Sequence, residues 1–136
     1  MRKLLLSVFV TILGLATPAF ADRIVIVHGA FQTAEAWSAV ATLLKAKGHD
    51  VEVVILPGRD AVGDMKAIAL SDYRDAALAV IRAKPEPVYL VGHSFGGITI
   101  AATGDAAPAA IRKLIFLAAY VPRDGESLQS LAAQDK

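Results

Sequence analysis

The sequence holds 136 residues and not one cysteine. That absence excludes a disulfide framework, a thiol nucleophile, an iron–sulfur cluster, a cysteine-based zinc site and a lipid anchor on an N-terminal cysteine. Histidines and carboxylates form no cluster at metal-ligand spacing, so no metal and no other cofactor is expected. An excess of one charge is also lacking: 14 Lys and Arg face 13 Asp and Glu. Two of the cations, Arg2 and Lys3, lie in a leader segment, which leaves twelve against thirteen. That balance gives no footprint for nucleic acid. Apolar side chains are abundant instead, 55% of residues against 20% charged, which excludes a disordered or collagen-like chain.

Residues 1–21 read as a signal peptide. Arg2-Lys3 is a positive start. Leu4 to Leu15 is apolar except for Ser7, Thr11 and Gly14, and Ala19-Phe20-Ala21 matches the small-x-small cleavage pattern. The run falls short of the roughly 20 residues that a spanning helix needs, and Pro18 interrupts its end. Cleavage would leave Asp22 as the new N-terminus and residues 22–136 as one small domain, bound for the periplasm or the medium. Charges break every later apolar stretch, so no stable membrane span is expected after cleavage.

The mature chain alternates short β-branched runs with longer helical stretches. Arg23 to Val27 is a near-continuous apolar run, as in a strand buried on both faces. Thr33 is placed to cap a helix from about Ala34 to Lys47, with Trp37, Val40, Leu43 and Leu44 at helical spacing and Gly48 at its C-terminal cap. Asp50 to Leu56 reads as a second strand, ended by the turn Pro57-Gly58-Arg59-Asp60. A polar, irregular stretch then runs to about Leu70. Ser71 and Asp72 open a helix to about Lys84, carrying Tyr73, Ala77, Val80 and Ile81 on one side, and Pro85-Glu86-Pro87 stops it. Val88 to Val91 is a third strand. A helix through Ile98, Ile100 and Ala101 fades near Asp105 to Pro108, and Leu114 to Ala118 is a fourth strand. Strand–helix alternation with buried strands predicts the α/β class: a parallel sheet covered by helices on both faces.

Gly92-x-Ser94-x-Gly96 sits where the third strand gives way to a helix. This is the nucleophile-elbow pattern. The chain must reverse sharply and hold Ser94 strained, so that its hydroxyl stands clear of the sheet. Side chains at positions 92 and 96 would collide as strand and helix close on each other. The N–H of Phe95, at the helix start, then faces the place where an oxyanion would form. The bare triplet arises often by chance; the strand before it and the helix after it give it weight. His28-Gly29-Ala30-Phe31 comes directly after the first strand, where such an architecture places a second oxyanion donor. The Ala30 N–H is the first choice and that of Phe31 the second.

His28-Gly29-Ala30, Leu56-Pro57-Gly58, Leu90-Val91-Gly92-His93-Ser94-Phe95-Gly96-Gly97 and the stretch from Leu117 to Gly125 together resemble the α/β-hydrolase superfamily. The closest resemblance is to the esterase branch that includes plant methylesterases and hydroxynitrile lyases. It runs from Arg23 to Leu131 but covers only the N-terminal half of the family fold. The resemblance implies a serine hydrolase acting on a small-molecule carboxylic ester. It also implies a nucleophile, acid and histidine in that chain order, and a lid inserted after the strand next to the elbow helix. Leu114 to Ala118 resembles that strand, and Tyr120 to Gly125 resembles the lid entrance.

Downstream of Ser94 the chain departs from the family pattern. Its histidines are His28, His49 and His93, all upstream of the serine. Without a base a serine hydroxyl is a poor nucleophile. His93 should point elsewhere at such a turn, His28 is expected to hold the loop by hydrogen bonds, and His49 is expected in solvent. Asp124 and Glu126 lie after the fourth strand, one position for an acid, but Asp124 reads better as part of the lid entrance. Tyr120 is open between lining a pocket and plain packing. The expectation is thus a truncated hydrolase that lacks its triad acid and histidine and is inert alone. The alternatives are a hydroxynitrile-lyase-like enzyme and a non-catalytic ligand-binding protein of the same fold.

Overall fold

The computed structural model describes residues 21–59 and 67–134. The expected leader, save Ala21, and most of the polar stretch after Arg59 lie outside the described residues. Four strands, β1 (Arg23–Val27), β2 (Asp50–Val53), β3 (Val88–Ser94) and β4 (Ile111–Ala119), form one sheet in the order β2-β1-β3-β4. Every neighbouring pair is parallel, as the alternation predicts. Crossovers run through α1 (Ser38–Ala46), α2 (Leu70–Arg82) and α3 (Gly96–Ala106), and α4 (Leu128–Ala132) comes after β4. No helix of the described residues is long and apolar enough to cross a membrane.

The pleat sends alternate side chains of the central strands to two cores. One holds Val25, Val27, Val88 and Leu90 against Tyr73, Ala77 and Ile81 of α2 and Ile100 of α3. The other holds Ile26 and Val51 against Trp37 and Ala41. Helices therefore cover both faces, and β1 has no exposed residue along its length. Arg23, at its start, is 4% exposed; its guanidinium donates to the carbonyls of Val80 at 2.6 Å, Ile81 at 2.8 Å and Lys84 at 3.2 Å. Those carbonyls lie at the C-terminal end of α2, where Val80 accepts from the Ala83 N–H as well, so a strand residue closes a helix.

The helix expected from Ala34 begins as a 3-10 turn over Ala34–Trp37 and becomes α-helical at Ser38. Thr33 stands extended before it, but its side chain caps nothing. The buried stripe is Trp37 and Ala41, with Leu44 packed beside it, whereas Val40 and Leu43 face solvent. Gly48 ends the helix at φ +92°, as the sequence suggests. The second strand leaves the ladder at Val53 rather than Leu56. Val54 and Leu56 still turn inward, while Ile55 is exposed. The third strand runs three residues past Val91 to Ser94, and the fourth begins at Ile111. β4 is one edge of the sheet among the described residues, β2 being the other, and it exposes Ile115 and Leu117.

Candidate active site

The C-terminal ends of β1 and β3 bring the site together. β3 stays in register with β1 as far as Val27↔Gly92. Two residues later Ser94 takes φ +54°, a left-handed conformation that costs a non-glycine residue about 1–3 kcal/mol. Phe95 is already helical, and α3 starts at Gly96. Backbone walls account for the glycines. A Cβ on Gly92 would lie 2.6 Å from the Gly96 oxygen, and one on Gly96 would fall onto the Val27 carbonyl. Gly97 is as constrained, since a Cβ there would fall onto the Tyr120 carbonyl. Strand and helix are thus pressed together around Ser94.

The end of β4 supports the elbow from the other side. Register slips between His93↔Leu117 and Ser94↔Ala119, leaving Ala118 as the extra residue at φ +42°. That bulge lets the Tyr120 N–H donate to the Ser94 carbonyl at 3.2 Å. Ser94 opens onto a cavity of about 510 Å³ lined by Ala118, Ala119, Tyr120, Val121, Leu131 and Gln134. Tyr120 therefore lines the pocket in front of the serine.

The loop after β1 closes the opposite flank. Gly29 lies so near the elbow that a Cβ on it would meet the Ser94 Cβ and His93 Nδ1, each at 3.2 Å. Residues 29–32 form a tight turn, with the Gln32 N–H donating to the Gly29 carbonyl at 3.3 Å. The Gln32 side-chain oxygen accepts from the Gly29 N–H and from Trp37 Nε1, both at 3.2 Å, and sits 3.2 Å from His93 Nδ1. With the N–H groups of Gly29 and Gln32 engaged, those of Ala30 and Phe31 are left; neither donates to an acceptor among the described residues, nor does the N–H of Phe95.

None of the three histidines hydrogen-bonds the Ser94 hydroxyl. His28 is fully buried, and its Nδ1 lies 2.9 Å from the Gly29 carbonyl. A carbonyl only accepts, so that nitrogen carries the proton. His93 is turned toward Gln32 and packs at a tilt against Trp37, with ring centroids 5.4 Å apart and planes at 59°. His49 sits at the other end of the sheet, half-buried, 3.9 Å from Asp22, rather than free in solvent. Asp124 lines a groove with Leu70, Leu114 and Phe116 that does not include Ser94, and Glu126 accepts from the Arg123 N–H at 2.7 Å. Both carboxylates belong to the turn after β4.

Gln32, Gly97, Ala118 and Arg59 (whose guanidinium reaches the Ala30 carbonyl) are site residues that sequence reasoning misses. Only Gly97 carries a signal, as the second glycine of a pair at a helix start.

A serine on a strained turn between a parallel strand and a helix, at the carboxyl edge of a sheet covered on both faces, defines the α/β-hydrolase class. A family model described as "Alpha/beta hydrolase family" matches residues 24–135, and the chain belongs to that family. It is 37% identical over 102 residues to alpha-hydroxynitrile lyase of Arabidopsis thaliana, a match covering 72% of this chain and 40% of that one. With methylesterase 2 of the same plant it shares 36% identity over 106 residues, covering 74% of this chain and 40% of the relative. The crystal structure of polyneuridine aldehyde esterase superposes with a TM-score of 0.72 at 29% identity, over 84% of this chain and 46% of that one. The fold and the esterase branch named from the motifs are thus found. The chain spans less than half the length of these relatives.

Proposed function

We propose that this chain carries the nucleophile and oxyanion half of an exported serine hydrolase acting on small carboxylic esters. The observation that carries the reading is Ser94 at φ +54°, walled by Gly92 and Gly96 and open to a cavity. Its hydroxyl attacks the ester carbonyl. The N–H groups of Ala30 and Phe95, which have no acceptor among the described residues, receive the oxyanion. A base takes the serine proton and returns it to the departing alkoxide, and water then releases the acyl group. The upstream histidines are engaged elsewhere, so the base and its carboxylate partner come from sequence downstream of Lys136. The leader sends the protein to the periplasm or the medium.

The test is ester turnover by the protein with its complete downstream sequence. Ser94→Ala should abolish hydrolysis of a short-chain nitrophenyl ester in a folded protein, and residues 22–136 alone should be inert. Turnover that survives Ser94→Ala would defeat the reading. A second reading draws on the identity with alpha-hydroxynitrile lyase. There the base removes the hydroxyl proton of a cyanohydrin, the carbon–carbon bond breaks, and a carbonyl compound and hydrogen cyanide leave. Cyanide release without ester turnover would favour it.

A further inference from the structure

We infer that Arg59 is a positioning residue for the oxyanion loop, and that through Tyr73 it ties that loop to the elbow; the inference rests on the hydrolase reading above. Arg59 lies in the turn after β2, 29 residues from the loop it grips. One guanidinium nitrogen donates to the Ala30 carbonyl. The other donates to the Tyr73 hydroxyl at 3.3 Å, and the guanidinium carbon stands 5.7 Å from the centre of the Tyr73 ring. Tyr73 is 6% exposed on α2 and meets Phe95 edge-on, with ring centroids 5.5 Å apart. One chain of contacts thus runs from Ala30 through Arg59 and Tyr73 to Phe95.

Peptide planarity gives this chain its consequence. A carbonyl and the N–H of the next residue point in opposite directions from one rigid plane. His28 Nδ1 and the Gln32 N–H fix the Gly29 carbonyl, which aims the Ala30 N–H. Arg59 fixes the Ala30 carbonyl, which aims the Phe31 N–H and holds the next plane of the turn. Both candidate donors of the loop therefore depend on side chains that never touch the substrate. Arginine suits the task, because a planar fork stays charged and serves two acceptors and a ring face together.

The experiment uses the full-length protein as its host makes it, as wild type, Arg59→Met, Arg59→Lys and Tyr73→Phe. Turnover of nitrophenyl acetate and hydrogen–deuterium exchange of peptides spanning residues 28–34 are both read. Losing one oxyanion donor costs roughly 100- to 1,000-fold in kcat, and misplacing it somewhat less. Arg59→Met should lower kcat about 10- to 100-fold with KM within about twofold, and speed exchange in the loop but not in α2. Arg59→Lys should restore part of both effects, and Tyr73→Phe should cost less than Arg59→Met. Should Arg59→Met fail to fold, Arg59→Lys and Tyr73→Phe carry the same comparison. Unchanged loop exchange in a folded variant overturns the brace, whatever the activity. A fall in kcat with a matching global rise in exchange marks mere destabilisation and overturns it too. A wild type without Ser94-dependent turnover defeats the hydrolase reading, which is a separate failure.

Discussion

Replacing Gly96 by alanine is the sharpest test of how the elbow is held. The added methyl would fall onto the Val27 carbonyl and lie 3.0 Å from that of His28. Both walls are backbone, and Val27 belongs to a strand paired on both sides, so neither can give way cheaply. Overpacking against such a wall costs about 3 kcal/mol, of which better helix propensity returns at most about 1. Gly104, further along the same helix, supplies the control. A Cβ there meets only the Leu114 side chain, nearest at Cδ1, 3.1 Å away, the movable tip of that side chain. Gly104→Ala should be neutral or stabilising by up to about 1 kcal/mol. The two substitutions should thus differ by about 2–3 kcal/mol. At a slope of about 2 kcal/mol per molar urea, their unfolding midpoints should stand roughly 1 M apart. Urea titrations monitored by circular dichroism measure this directly. Coincident midpoints would refute the claim that backbone contact at Gly96 sets the close approach of α3 to β1.

N-terminal sequencing of the exported protein should find Asp22 first, and a terminus at Met1 or Arg2 would refute the leader assignment. Arg23→Met should lower stability by about 2–4 kcal/mol, because it strips buried donors from the carbonyls of Val80, Ile81 and Lys84; an unchanged melting temperature would show that those bonds carry nothing. Lys84 lies 2.6 Å from Asp50, a hydrogen bond that holds its ammonium group above the ordinary 10.5. Its contribution is complete below that value and is lost as pH rises through the elevated one, so the small melting difference between wild type and Lys84→Met should narrow only in the alkaline range. A difference that changes near neutrality would contradict this.

Much of the fold is legible because burial on both faces writes itself as uninterrupted apolar sequence. β1 is legible to the residue, and the parallel order comes from the alternation. The strand ends are harder. β3 continues through Gly92 and His93, a pair without strand propensity, because β1 and β4 hold it by backbone bonds. β4 opens on Ile111-Arg112-Lys113, which reads as loop, yet Ile111 and Lys113 pair with Val88 and Tyr89 while the register slips past Arg112. Within the site, the positions of Gly92, Ser94 and Gly96 are readable because sterics impose glycine at fixed spacing. Gln32 and Arg59 are not. A glutamine in a loop and an arginine in a turn look like ordinary surface residues until the fold brings them to Gly29 and Ala30.

Under the proposed reading, Ser94 is a nucleophile and none of the upstream histidines is its base. Mapping a fluorophosphonate label by mass spectrometry, on mature protein with and without the downstream sequence, tests it most directly. A label on Ser94 alone is expected in the longer protein, and almost none in residues 22–136. Labelling of Ser38 or Ser71 that persists in folded Ser94→Ala, or rapid labelling of Ser94 in residues 22–136 alone, would contradict it.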